Sequence, residues 1–194
     1  MSRRLGIAFS VIGLFVGLAG CAAEPAQSGP PGQSENTTGD PLPPRPREIR
    51  MDGLDPCALA TPEVLNPTGV KKPHELPDPT AGIRVCSAGR DVLDRPSGSL
   101  GVFTATNQDV RNVLYVQGAR VTTVAGFGAV EVPDERFGAQ FTCVVRVDVA
   151  PDQGLWVAYA VELGDEPGAT HELMCQRAHA AAETIMRDLL ARTK

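Results

Sequence analysis

Residues 139–161 read AQFTCVVRVDVAPDQGLWVAYAV. Ala139, Phe141, Cys143, Val145, Val147 and Val149 fall on alternate positions. Gln140, Thr142, Arg146 and Asp148 fall between them, and only Val144 breaks the pattern. Successive side chains of a strand point to opposite faces, so the alternation predicts one buried and one wet face. Pro151-Asp152-Gln153-Gly154 reads as a turn, and Leu155, Val157, Tyr159 and Val161 form the next apolar face. Two such runs around a turn predict an antiparallel hairpin.

C-terminal to the hairpin the period changes. Met174, Ala178, Ala181, Ala182, Ile185 and Leu189 form one stripe at helical spacing within residues 170–193. Thr170 is placed to cap this helix, and Glu172 complements the dipole of its first turn. N-terminal to the hairpin, shorter strands are expected at 83–88, 100–106, 114–117 and 120–124, with a Gly-rich entry to another at 126–133. A helical turn is expected at 107–112, and the Pro-rich residues 71–80 and residues 89–99 read as loop and turn. Asp55 before Pro56 suits a helix start, Thr61-Pro62 a second one, and Asn66-Pro67-Thr68-Gly69 a stop. The expected fold class is α+β, an antiparallel β-sheet with a long C-terminal helix packed on one face.

The N-terminus reads as an export signal. Arg3 and Arg4 precede an uncharged, mostly apolar run over 5–19, too short for a spanning helix and without stop-transfer charges. Leu18-Ala19-Gly20-Cys21 resembles a bacterial lipobox. The resemblance implies that small residues give the signal peptidase access to the backbone, that Cys21 becomes the first residue, and that it is acylated on sulfur and also on its amine, with palmitate among the chains expected. Twin arginines suggest an alternative export route, but Gly6 stands where that motif wants a bulky apolar residue. The organisation expected is a lipoprotein signal peptide at 1–20, an acylated Cys21 with a Pro/Gly/Ser-rich disordered tether to 49, and an extracellular domain at 50–194. The tether carries too little apolar surface to offset its ordering entropy.

The 194-residue chain has a net charge of −5, and losing Arg3 and Arg4 leaves about −7. An acidic exported domain is a poor nucleic-acid binder. Aromatics are few, so staples are expected beside a core of Val, Leu, Ile and Ala. With Cys21 lipidated, Cys57, Cys86, Cys143 and Cys175 remain, an even number that implies two disulfides in an oxidising compartment. Spacing permits three pairings. Cys57 and Cys175 each open a helix, and Cys86 and Cys143 each lie in a strand-like run, which favours Cys57–Cys175 and Cys86–Cys143.

Leu54-Asp55-Pro56-Cys57-Ala58-Leu59, Gly126-Phe127-Gly128-Ala129-Val130 and Cys175-Gln176-Arg177-Ala178 together carry a resemblance. Over about 50–192 the chain resembles the actinobacterial lipoproteins of the domain-of-unknown-function family 3558. That resemblance implies a fold and an address outside the cytoplasm, and no established activity. The family often has Trp two residues after its second cysteine; here Ser87 and Ala88 follow Cys86.

A catalytic constellation is not evident. His171, Cys175 and His179 recur every four residues, but the outer pair stand two turns apart, roughly 11–12 Å. That is too far to share one metal, and Cys175 has a use in a disulfide, so solvent-facing histidines and no metal or cofactor site are expected. His74 stands alone. Ser87, Ser97 and Ser99 have no histidine assigned by any motif, Asp134-Glu135-Arg136 reads as a charged turn, and Gly126-Phe127-Gly128 lacks the helix of a phosphate loop. Trp156, opposite the Val-rich face, is read as packed under a further layer, with a binding aromatic as the alternative. The expected function is a non-enzymatic domain, anchored to the cell membrane through Cys21, that binds an envelope protein, a glycan or a small apolar ligand. An accessory or sensor subunit of a transporter or kinase, and an envelope hydrolase, are the alternatives.

Overall fold

The computed structural model describes residues 40–77, 80–90, 98–133, 142–161 and 168–192. The expected signal segment, Cys21, the expected tether up to residue 39, residues 139–141, Ser97, the expected turn at Asp134-Glu135-Arg136 and the last two residues lie outside the described part.

Seven antiparallel strands form one sheet, and the C-terminal helix packs on it. The strands are β1 (Lys71–Leu76), β2 (Ile83–Gly89), β3 (Gly98–Thr106), β4 (Arg120–Val124), β5 (Phe127–Pro133), β6 (Thr142–Ala150) and β7 (Gln153–Val161). Their order across the sheet is β1-β2-β3-β7-β6-β5-β4. The expected hairpin is β6–β7 at the centre, turning at Pro151-Asp152, with Val145 opposite Val157 and Cys143 opposite Tyr159. The β4–β5 hairpin turns on Ala125 and Gly126, both with positive φ (49° and 84°), the geometry a two-residue turn needs to match strand twist. Two expectations on strands are corrected. Residues 71–76 form the exposed edge strand β1 rather than loop. Both its faces are wet, so no alternation marks it, and Pro73 is tolerated at an edge. Residues 114–117 are turns, not strand; Leu114 and Val116 pack beside a small apolar cluster.

The helices follow their local signals. In α1 (Pro56–Leu59) the Asp55 carboxylate accepts from the Cys57 amide at 2.9 Å. A second short helix, α2 (Pro62–Leu65), starts at Thr61-Pro62, and a 3-10 turn, Asn66–Thr68, closes on Gly69 at φ 70°. The long helix α3 (His171–Arg192) is capped by the Thr170 hydroxyl, which accepts from the Leu173 amide at 3.1 Å. Met174, Ala178, Ala182, Ile185 and Leu189 of α3 are buried with Val145, Val147, Leu155, Val157 and Tyr159 of the sheet. At about 25 cal/mol per Å² of apolar surface, this layer dominates the stability.

The disulfide pairing expected from the sequence is overturned. The bonds are Cys57–Cys86 and Cys143–Cys175, with Cα separations of 4.9 and 5.0 Å. β2 and β6 are separated by β3 and β7, so Cys86 and Cys143 stand about 14 Å apart at three inter-strand spacings. That is twice the Cα reach of a disulfide. Instead α1 packs on β2, and the first turns of α3 lie over β6.

The expectation of one wet sheet face also fails over part of its area. Thr142 and Asp148, assigned to water, are 2% and 1% exposed. Residues 40–49, expected as the end of a disordered tether, are an ordered strap. Leu42 joins Val110, Val113, Val130 and Val132 in a second apolar cluster on the face away from α3. The strap then passes Gly128 of β5, where a Cβ would stand 3.0 Å from Leu42, and Gly126 of the preceding turn, and reaches the helix side, where Ile49 and Met51 enter the main core. The Ile49 amide donates to the Val149 carbonyl at 2.9 Å, and Arg47 donates to the Leu190 carbonyl near the end of α3 at 2.7 Å.

Candidate functional site

The face of the sheet opposite α3 is only partly covered. The strap and the segment 110–119 close it over β5 and the adjoining part of β6, while Val121 and Thr123 of β4 are exposed. Across β3, β7 and β6 the residues Gly101, Phe103, Ala158, Ala160, Val144 and Arg146 are half-buried. Register puts Phe103, Trp156, Arg146 and Val130 in one row, and Gly101, Ala158, Val144 and Val132 in the next. Glycines let the rings lie flat. A Cβ at Gly101 would meet the Phe103 ring at 2.7 Å, and one at Gly154 would meet the Trp156 indole nitrogen at 2.6 Å. The Phe103 and Trp156 centroids are 6.1 Å apart, and the Arg146 guanidinium stacks 4.1 Å over the Trp156 ring. Trp156 itself is 8% exposed and forms the base of the shelf; it is packed, as expected, but the Arg146 guanidinium lies over its ring where a further layer was expected. The outcome is a flat, apolar, small-residue surface with a cation at one side.

A charged cleft of about 530 Å³ borders the strap, lined by Asp40, Pro43, Arg45, Glu48, Arg111 and Asp148 among others. At its base Asp148 accepts from Arg45 at 2.7 Å, and Arg111 approaches at 3.5 Å. Arg111 also pairs with Asp40 and, at 3.2 Å, with Asp109. The bond from Arg111, joined by the Leu42 amide, holds the Asp40 carboxyl below its ordinary range. These groups neutralise one another and clamp the strap. Sequence reading missed them because Arg45, Asp40 and Asp148 are far apart in the chain; the pair of apolar residues Leu42 and Ile49 in an otherwise polar stretch was the available signal.

The histidines divide three ways. His74 is exposed on β1, 3.2 Å from the Lys72 carbonyl. His171 and His179 are half-buried, not solvent-facing as expected. His179 lies 3.6 Å from Glu131 and 3.8 Å from Glu183, while Glu131 also binds Arg120 at 2.7 Å. His171 turns to the Cys143–Cys175 disulfide, with its Nε2 3.3 Å from Cys175 Sγ. The helical series His171, Cys175, His179 is thus split between two environments, as the two-turn distance demands. The Ser87 side of β2 belongs to the half-covered face, and Ser99 is exposed at the start of β3.

Fold and site together define a small α+β domain, stapled by two disulfides, with a flat apolar shelf beside a charged strap. The family model described as protein of unknown function (DUF3558) matches residues 16–187, and the chain belongs to that family. No curated protein and no solved structure matches it. Among the described residues, no helix is long and apolar enough to cross a membrane.

Proposed function

We propose that this chain is an exported lipoprotein, cleaved before Cys21 and acylated there, whose domain binds a protein partner of the cell envelope without catalysing a reaction. The observation that carries the binding reading is the half-exposed shelf of Gly101, Phe103, Val144, Ala158 and Ala160. Small residues and flattened rings make a surface that another backbone can approach closely. A flat apolar area suits a macromolecular partner, whereas a small ligand wants a concave pocket. Arg146, stacked on Trp156, adds a charged rim. The export reading is supported by the lipobox at 18–21 and by two disulfides, which persist in oxidising compartments.

A photo-crosslinking residue at Ala158 in cells tests the shelf. One defined protein adduct is expected there, lost when Ala160→Arg is added, with none from the exposed helix position Ala180. Equal adducts from both positions would end the shelf reading. Anchoring is tested separately: Cys21→Ala is expected to abolish fatty-acid labelling and either release the domain or leave the precursor uncut. Unchanged labelling would refute acylation at Cys21.

A further inference from the structure

Cys143, His171 and Cys175 bring two sulfurs and one imidazole nitrogen within 4.8 Å of one another. Both sulfurs are buried, at 0% and 1% exposure, while His171 is half-buried and opens the cluster to solvent. The imidazole is already set as a ligand. Its Nδ1 lies 3.1 Å from the Thr142 carbonyl, which can only accept, so Nδ1 carries the proton and Nε2 holds a lone pair. That lone pair faces Cys175 Sγ at 3.3 Å. A histidine whose far nitrogen is tied to a backbone carbonyl is the arrangement that metal sites use to fix tautomer and orientation.

We propose that the Cys143–Cys175 disulfide is a closed form of a soft-metal site, which opens on reduction and takes zinc(II) through Cys143, Cys175 and His171. The reductant is a dithiol. Its two thiols become a disulfide as the Cys143–Cys175 bond takes up two electrons and two protons and becomes two thiols. Zinc then displaces both thiol protons, is held by two thiolates and Nε2, and keeps a water at the fourth position. With about 2.3 Å to sulfur and about 2.0 Å to nitrogen, tetrahedral zinc needs its sulfurs roughly 3.7 Å apart and a sulfur–nitrogen gap of roughly 3.5 Å. The Cys175–His171 gap is therefore nearly in place; the two sulfurs must part, and Cys143, within 4.8 Å of the imidazole, must settle at the sulfur–nitrogen distance that zinc sets. The frame survives their parting because Cys143 belongs to β6 and Cys175 to α3, and these are packed together by Met174, Ala178 and Ile185 independently of the bond. Among the described residues the Cys57–Cys86 pair is not in a cluster of this kind, and it serves as the internal control.

Cobalt(II) is the probe, added to the full chain reduced with a phosphine. One equivalent is expected to give a thiolate-to-cobalt absorption in the near ultraviolet, with unchanged far-UV circular dichroism, and zinc is expected to displace it. The Cys57→Ser/Cys86→Ser variant should retain the band, Cys143→Ser/Cys175→Ser and the oxidised protein should lack it, and His171→Ala should weaken binding at least tenfold. A band that follows Cys57 and Cys86, a band indifferent to His171, no band from a folded reduced domain, or loss of the fold on reduction would each overturn the proposal.

Discussion

Asp148 shows how one carboxylate organises its surroundings. Its side chain is 2% exposed and bonded to Arg45, which keeps 20% of its own side chain in water. Removing one member of a buried pair typically costs about 3–5 kcal/mol, and partial hydration of Arg45 reduces that. Asp148→Asn is expected to destabilise the domain by about 2 kcal/mol, read as a lower urea midpoint at constant m-value. An unchanged midpoint would mean that the pair contributes nothing. Asp40 gives a pH dependence of definite sign. Its carboxyl titrates below its ordinary range because Arg111, then the Leu42 amide, bind the charged form. A lowered folded pKa means the contribution is complete above the unfolded value and is lost as pH falls through the folded one. Strap protection, measured by hydrogen exchange at the Leu42 amide, is therefore expected to decline below about pH 4. Asp40→Asn should remove that decline while leaving the neutral-pH sheet intact; an identical acid profile in the variant would exclude Asp40 as the cause.

The strap, residues 40–49, is the element that sequence reading placed on the wrong side of the domain boundary. Its composition is that of a tether, and its two buried apolar anchors are spaced to reach opposite sides of the sheet. Gly128 is the position on β5 that accommodates it, since a Cβ there would lie 3.0 Å from both Leu42 and Pro43. Gly128→Val should push the strap from the sheet at a cost of about 1–3 kcal/mol, the range for overpacking. Limited proteolysis would then cut near Arg45 or Arg47 faster than in the wild type, whereas unchanged resistance would show that the strap yields without leaving. The other elements were more legible. Thr170 caps α3, Asp55 caps α1, and β6–β7 is the central hairpin, because each signal acts within a few residues of chain. β1 was not legible, since an edge strand exposed on both faces has no pattern to show.

For the molecule as a whole, the disulfides divide the stability between two seams. Separations of 29 and 32 residues correspond to about 3–4 kcal/mol each in the chain-entropy account. Each of Cys57→Ala/Cys86→Ala and Cys143→Ala/Cys175→Ala is thus expected to lower unfolding free energy by about that amount. Non-reducing peptide maps should contain the Cys57–Cys86 and Cys143–Cys175 peptides and no Cys57–Cys175 link. Sequence alone determined the α+β class, the hairpin, the capped C-terminal helix and the use of four cysteines in two bonds, because period and composition report which side of each element is apolar. It left undecided what lies against that side. The pairing of sulfurs, the cover that the strap gives to a face marked as wet, and the meeting of His171 with Cys143 and Cys175 arise only when distant segments are packed, since each depends on a through-space distance that no local pattern encodes.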